Sequence, residues 1–202
     1  MKKHVATNLR QIAPIAAAFL AVTGALSVCL LLVSRQHRSA TSRRNRYDRI
    51  IDEAADRHGV SPFLVKAVIY RESSFQPWVT GDANEVGLMQ IRKETAVADW
   101  ERVTGQRCPF DGLLFDPRLN IEIGTWYLAR ALNQWQGYRD REVLALAQYN
   151  AGRTNAREWA PKDKRETVRR SSISFDSTRE YISKVLEARK MFERESLNGE
   201  KH

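Results

Sequence analysis

Cysteine and histidine are scarce in this 202-residue chain, and acid is missing altogether from its first 46 residues. The two cysteines are Cys29, inside an apolar run, and Cys108, far downstream, which argues against a disulfide-stapled fold. His4, His37, His58 and His202 stand far apart, so no Cys/His cluster has zinc-ligand spacing and no metal is expected. A glycine-rich phosphate loop, a Ser/His/Asp set and an internal repeat are all missing, and no cofactor is expected. Strong period-two alternation is missing too, which leaves a mostly helical domain. With 43% hydrophobic residues the chain can pack one ordinary core plus an appendage.

The net charge of +9 suggests a nucleic-acid partner only until it is divided by position. Residues 1–46 carry eight of the 33 basic residues, leaving 25 bases against 24 acids in the remainder. The domain is therefore nearly neutral, and no nucleic-acid partner is expected.

Between a short basic segment, residues 1–11, and a basic linker, residues 34–46, lie 22 uncharged residues from Ile12 to Val33. That length suits a transmembrane anchor across a hydrocarbon core of about 30 Å. A cleavable signal peptide is the rival, but no cleavage site is well formed: Thr23-Gly24-Ala25 falls mid-run and Arg38-Ser39-Ala40 starts on a large charge. Five arginines after the span, against two lysines and one arginine before it, mildly favour a cytoplasmic domain by the positive-inside rule.

From residue 47 onward the helix signals are local and readable. Ile50, Ile51, Ala54 and Ala55 share one helical face that stops at Gly59. Ser61-Pro62 starts the next helix, whose Leu64, Val65, Val68 and Ile69 fall at spacings of three and four. Residues 75–87 read as a loop with Trp78 exposed, followed by a helix over about 93–103. Asp116-Pro117 repeats the start signal for a long helix in which Gly124 permits close approach. Asp140 can cap a helix that runs out at Tyr149-Asn150-Ala151-Gly152, and Trp159 to Ser174 reads as a basic loop. Ser177-Thr178-Arg179-Glu180 has the capping-box pattern for a last helix, with residues 196–202 as a frayed tail.

Glu72 continues the face that Val65, Val68 and Ile69 bury, at the end of its helix. An apolar surround disfavours the carboxylate, and the negative end of the helix dipole disfavours it further. A carboxyl that stays protonated near neutral pH is a candidate general acid. The bland alternative pairs it with Arg71 on a solvated helix end.

Taken in order, Glu72-Ser73 after an apolar helix, Gly87-Leu88-Met89-Gln90-Ile91, Phe115-Asp116-Pro117 with Asn120-Ile121 and Gly124, Tyr149-Asn150-Ala151-Gly152, and Tyr181 with Val185 resemble the soluble lytic transglycosylase family. The resemblance covers residues 47–192, within a domain of residues 47–195. It implies a lysozyme-like helical fold and cleavage of the β-1,4 bond between N-acetylmuramic acid and N-acetylglucosamine in peptidoglycan, leaving a 1,6-anhydro sugar. Glu72 would be acid and then base, with the substrate's acetamido oxygen stabilising the positive centre in between. Ser73, Met89, Gln90, Tyr149 and Asn150 would hold the glycan strand, with Tyr181 near the cleft floor. Such an enzyme implies a single-pass inner-membrane anchor with its domain in the periplasm, against the charge bias, and size and anchoring suggest service to an envelope-spanning assembly. Many relatives have a glutamate where this chain has Ser177, and Asp176 is only a weak substitute. Two alternatives stand: a goose-type lysozyme-like hydrolase using Asp82 or Glu85, whose ordinary reading is a solvated turn, and an inactive anchored wall-binding module.

Overall fold

The computed structural model describes residues 29, 30, 32, 35 and 42–199, divided between a unit at residues 1–45 and a second at residues 46–202. In the first unit, residues 42–45 are helical within what the sequence suggests is linker. Among the described residues no helix is long and apolar enough to cross a membrane. The segment expected at residues 1–11 and the anchor at residues 12–33 lie outside the described residues, apart from Cys29, Leu30 and Leu32.

In the second unit the expected helices form, with no regular strand among the described residues, only isolated bridges pairing Thr80 with Val86 and Val86 with Ile91. Helix α1, Asp48–His58, ends on Gly59 at φ 64°, the left-handed cap its sequence signals. Helix α2, Pro62–Ser73, is the core element: Leu64, Val65, Ala67, Val68 and Ile69 are all buried. An almost uniformly apolar helix must be enclosed by others, and α1 covers one side while the last helix, α7 (Asp176–Gly199), covers another. Full burial of side chains this size stabilises the fold by roughly 1.5–3 kcal/mol each.

The segment expected to be one helix from about 93 to 103 is a π turn, Lys93–Val97, continuing into α3, Ala98–Thr104. A widened turn of this kind recurs beside functional sites. A 3₁₀ turn, Asp111–Phe115, then delivers the chain to α4, Pro117–Gln134, where the Asp116 side chain accepts from the Leu119 N–H as the cap-then-proline signal predicts. Next come α5, Arg141–Ala151, and α6, Arg153–Trp159.

Three side-chain caps read from sequence do not form, and the first is Ser61, which precedes α2 without a cap bond. Asp140 sits at the N-cap of α5 but makes no cap bond, and its Oδ2 accepts from the Val168 N–H at 2.7 Å, tying down the loop after α6. The capping box is absent because α7 already starts at Asp176, which puts Ser177 inside it. Glu180 pairs with Lys184 at 2.5 Å and Thr178 donates to Asn150 at 2.7 Å. The helix also runs past the boundary expected at 195, while residues 200–202 lie outside the described residues.

One buried side chain locks the loop before the π turn to α4. Asn120 Oδ1 accepts from the Met89 N–H at 2.8 Å, and its Nδ2 donates to the Val86 carbonyl at 2.8 Å and the Leu114 carbonyl at 2.7 Å. A Cβ at Gly87, where φ is 78°, would lie 2.4 Å from that nitrogen, so the close approach needs glycine. At Gly124 a Cβ would meet Met89 Sδ at 2.5 Å, which is the close approach that residue was expected to allow. Asn120→Ala strands three polar backbone groups in a dry interior. We expect it to lower stability by about 3 kcal/mol in urea unfolding while leaving the helical circular-dichroism spectrum intact.

Candidate active site

The core helix α2 stops abruptly just beyond Glu72. Ser74 and Phe75 both take left-handed backbone conformations, φ 51° and 61°, which non-glycine residues adopt at a cost. Burial of the Phe75 ring against Tyr70 and Phe192 holds them there. Ser73 turns back into its own helix, its hydroxyl donating to the Ile69 carbonyl at 3.1 Å. Glu72 is left facing a cleft of about 410 Å³ that it shares with Glu85, Gln90, Tyr149 and Asn150.

Across from it, α7 brings Tyr181, whose hydroxyl donates to Glu72 Oε1 at 2.7 Å. Burial is the largest influence on Glu72 and raises its pKa from 4.5 to about 7. The Tyr181 hydrogen bond and the Arg71 charge oppose that rise, and Glu85 adds to it. The side chain retains some exposed surface, yet protein encloses most of its carboxyl, and for a group opening on a cleft the enclosure governs. Arg71 lies over the Tyr181 ring, 5.8 Å from its centroid, and makes no ion pair with Glu72. The bland alternative of a solvated Glu–Arg pair is therefore not what forms.

The other expected site residues divide into two groups. Gln90 and Asn150 line the cleft. Gln90 holds φ 46°, and its Nε2 donates to the Val79 and Gly87 carbonyls at 3.0 and 2.9 Å, which commits the nitrogen and leaves Oε1 as an acceptor. Asn150 accepts from Thr178 and is otherwise exposed. Tyr149 borders the cleft, but its hydroxyl donates to the Met89 carbonyl at 2.8 Å. Burial, then the Glu72 charge, push the phenols of Tyr149 and Tyr181 well above 10, so both stay neutral donors. Ser73 and Met89 are buried and outside the cleft lining. Ser73 closes a helix turn, and Met89 packs on Gly124 while its carbonyl orients Tyr149.

Glu85 departs from the solvated turn that was its ordinary reading, because it lines the cleft while its Oε2 accepts from the Ala83 N–H at 3.0 Å. Asp82 stays exposed on that turn. Asp176 is exposed, pairs with Arg179 and takes no part in the lining. Sequence reasoning passed over Arg92, Thr95, Tyr127 and Gln148, which also reach the cleft. Only Gln148 carried a signal, as a polar residue directly after the apolar run Leu144 to Ala147.

A mostly helical domain with a glutamate of raised pKa on an open cleft is of the lysozyme-like class. The chain belongs to the Transglycosylase SLT domain family, which it matches over residues 49–171. It is similar to the membrane-bound lytic murein transglycosylase C of Cronobacter sakazakii, 31% identical over 172 residues, 75% of this chain and 48% of that protein. The protein of the same name from Yersinia enterocolitica is 30% identical over 131 residues, 62% of this chain and 37% of that one. The chain thus spans about half or less of the length of these relatives. Among solved structures, an inactive mutant of the lytic transglycosylase Slt from Pseudomonas aeruginosa superposes with a TM-score of 0.67 at 27% identity, covering 76% of this chain and 25% of that one. The 70-kDa soluble lytic transglycosylase of Escherichia coli gives 0.63 at 28% identity, covering 71% and 23%.

The raised pKa of Glu72 has a consequence for stability. Between pH 4.5 and about 7 the folded chain keeps a proton that the unfolded chain releases, so the stabilisation is fully present below 4.5 and lost as pH rises through 7. Relative to Glu72→Gln, which keeps an acceptor for Tyr181, the parent should lose up to about 3 kcal/mol across that window in pH-resolved denaturant melts.

Proposed function

We propose that the domain is a peptidoglycan lytic transglycosylase, cleaving the β-1,4 bond between N-acetylmuramic acid and N-acetylglucosamine and releasing a 1,6-anhydro-N-acetylmuramic end. The observation that carries the reading is the half-buried Glu72 carboxyl, raised to about 7 and held by Tyr181 at the cleft. At that pKa the group is protonated in a large share of molecules near neutral pH and is a competent base once deprotonated.

Protonated Glu72 gives its proton to the glycosidic oxygen as the bond to the anomeric carbon breaks. The acetamido oxygen of the same sugar closes on that carbon and carries the positive charge. The Glu72 carboxylate then removes the proton from the C6 hydroxyl, whose oxygen attacks the anomeric carbon and displaces the acetamido oxygen. Glu72 ends protonated, no water is consumed, and one carboxyl serves both steps where most glycosidases use two. Tyr181 fixes Glu72 and stabilises its charged form between the steps. Gln90 and Asn150 contact the sugars, while Ser73, Met89 and Tyr149 hold the wall of the cleft in place.

A second reading, lysozyme-like hydrolysis, draws on Glu85, since a second carboxylate in the cleft could orient a water. Its engagement by the Ala83 N–H favours a loop-shaping role instead. The substrate is the glycan strand, and residues 12–33 anchor the chain in the inner membrane with the domain in the periplasm, available to an envelope-spanning assembly.

Glu72→Gln should reduce anhydro-muropeptide release from purified sacculi by at least about a thousandfold, read by mass spectrometry. Glu85→Gln should keep the anhydro product, and reducing-end muropeptides from the parent would instead establish hydrolysis. For the parent, kcat/KM should fall as pH rises through about 7, because the acid form is lost. Tyr181→Phe removes a bond that lowers the Glu72 pKa, so its basic limb should move to higher pH while kcat drops about tenfold. A periplasm-dependent reporter fused to the carboxyl terminus should be active, and a cytoplasmic signal would overturn the topology.

A further inference from the structure

The basic loop at residues 160–172 takes no part in the cleft lining and carries five bases, Lys162, Lys164, Arg165, Arg169 and Arg170, against two acids, Asp163 and Glu166. All of these side chains are exposed. Arg165 pairs with Asp163 at 3.1 Å, while the other bases of the loop have no carboxylate partner among the described residues. Arg139 adds another such cation: its backbone N–H donates to the Lys164 carbonyl at 2.8 Å, and the Lys164 ammonium lies 5.4 Å from the centre of the Tyr138 ring. With Asp140 accepting from Val168, and the Ser172 hydroxyl donating to the Arg169 carbonyl at 2.7 Å, the loop is a fixed surface rather than a loose tail.

This surface lies at the end of the domain remote from the cleft. Helix α5 starts beside it at Arg141 and reaches the cleft at Tyr149 and Asn150, about 13 Å further on at about 1.5 Å per residue. The chain enters the domain at the same end: Asp48 pairs with Lys66 at 2.6 Å, Lys66 lies over the Phe192 ring of α7, and Arg189, about one turn earlier, pairs with Glu142 in the first turn of α5. Along α7, Arg189 stands about 12 Å beyond Tyr181, the residue that meets Glu72.

We propose that this end of the domain docks on anionic phospholipid headgroups through Arg139, Lys162, Lys164, Arg169 and Arg170. The inference rests on the anchored reading above, since residues 34–46 span at most about 45 Å when fully extended and keep a bilayer within reach. The domain is nearly neutral as a whole, so its basic surface attracts only within about 10 Å, and the anchor supplies the encounter. Cations with no ion pair inside the fold have none to break when they meet a headgroup phosphate, and each adds its own increment to the attachment. Docked this way, the domain turns its cleft away from the bilayer and toward the glycan strands.

The test uses the full chain in lipid nanodiscs of pure phosphatidylcholine or of phosphatidylcholine with about 30% phosphatidylglycerol. Amide hydrogen exchange across residues 160–172 should slow at least about fivefold on the anionic discs relative to the neutral ones, a difference that disappears at about 1 M salt. Residues 85–91, beside the cleft, should exchange alike on both. Lys164→Glu, Arg169→Glu and Arg170→Glu together should erase the difference, and Arg169→Glu alone, which serves if the triple variant misfolds, should remove a measurable part of it. Equal exchange on the two discs overturns the proposal, as does protection that appears only when an acidic protein or polymer is added, because the surface would then belong to that partner. A chain that fails to enter either disc counts against the anchor instead; flotation with vesicles of the same two compositions then decides, since the triple variant must lose anionic-vesicle binding that the parent shows. Anhydro release from soluble glycan fragments in detergent should match the parent in every variant and tests the catalytic reading separately.

Discussion

Keeping one carboxyl group away from water is the constraint around which this domain is arranged. Glu72 projects from the end of a helix whose Leu64, Val65, Ala67, Val68 and Ile69 are buried in the core, so it inherits their low-dielectric surroundings. An isolated buried carboxylate is unfavourable, and the fold answers with a neutral donor, Tyr181, rather than a cation. A guanidinium there would have driven the pKa down and removed the acid. The α2–α7 contact is thus structural and chemical at once, because the helix that buries α2 also supplies a hydrogen bond that makes its terminal glutamate tolerable.

Around that pair lies a layer that touches no substrate yet sets the cleft's shape. Asn120 draws the Val86 to Met89 backbone onto α4, Gly87 and Gly124 let it arrive, and the Met89 carbonyl then receives Tyr149. Each step depends on the one before. The resemblance quoted Met89 and Asn120 in the same run of motifs, and their bond explains why such distant residues belong together: one supplies a backbone N–H with nowhere else to go, the other an amide that can both accept and donate.

The features legible in sequence are those decided within a few residues. Gly59 stops α1, Asp116 caps α4, and the apolar spacing of α2 aims Glu72 inward, all from local backbone and side-chain preferences. The failures involve partners far along the chain. Asp140 looks like a cap until Val168 competes for its carboxylate, and the serine and glutamate of the supposed capping box lose those roles because α7 begins two residues early. Glu85 reads as a surface turn because nothing local shows that two isolated bridges fold its loop back toward α2. Ser73 and Met89 sit beside the chemistry in the motif but inside the wall in space, since adjacency to Gln90 or Glu72 along the chain does not fix which way a side chain points.

The distribution of charge follows the same logic of local matching. With its basic excess confined to the amino-terminal segment, the domain cannot draw a polyanion from a distance, and recognition has to occur at contact. An uncharged sugar chain suits a cleft of amides and phenols such as Gln90, Asn150 and Tyr149, where hydrogen bonds act only at short range. Arg92 and Glu85 share the cleft lining with Glu72, so charge of both signs is present there, yet the hydrogen bond to Glu72 comes from the neutral Tyr181. That neutral partner protects the acid: a guanidinium hydrogen-bonded to Glu72 would stabilise the carboxylate and undo the raised pKa on which proton donation depends.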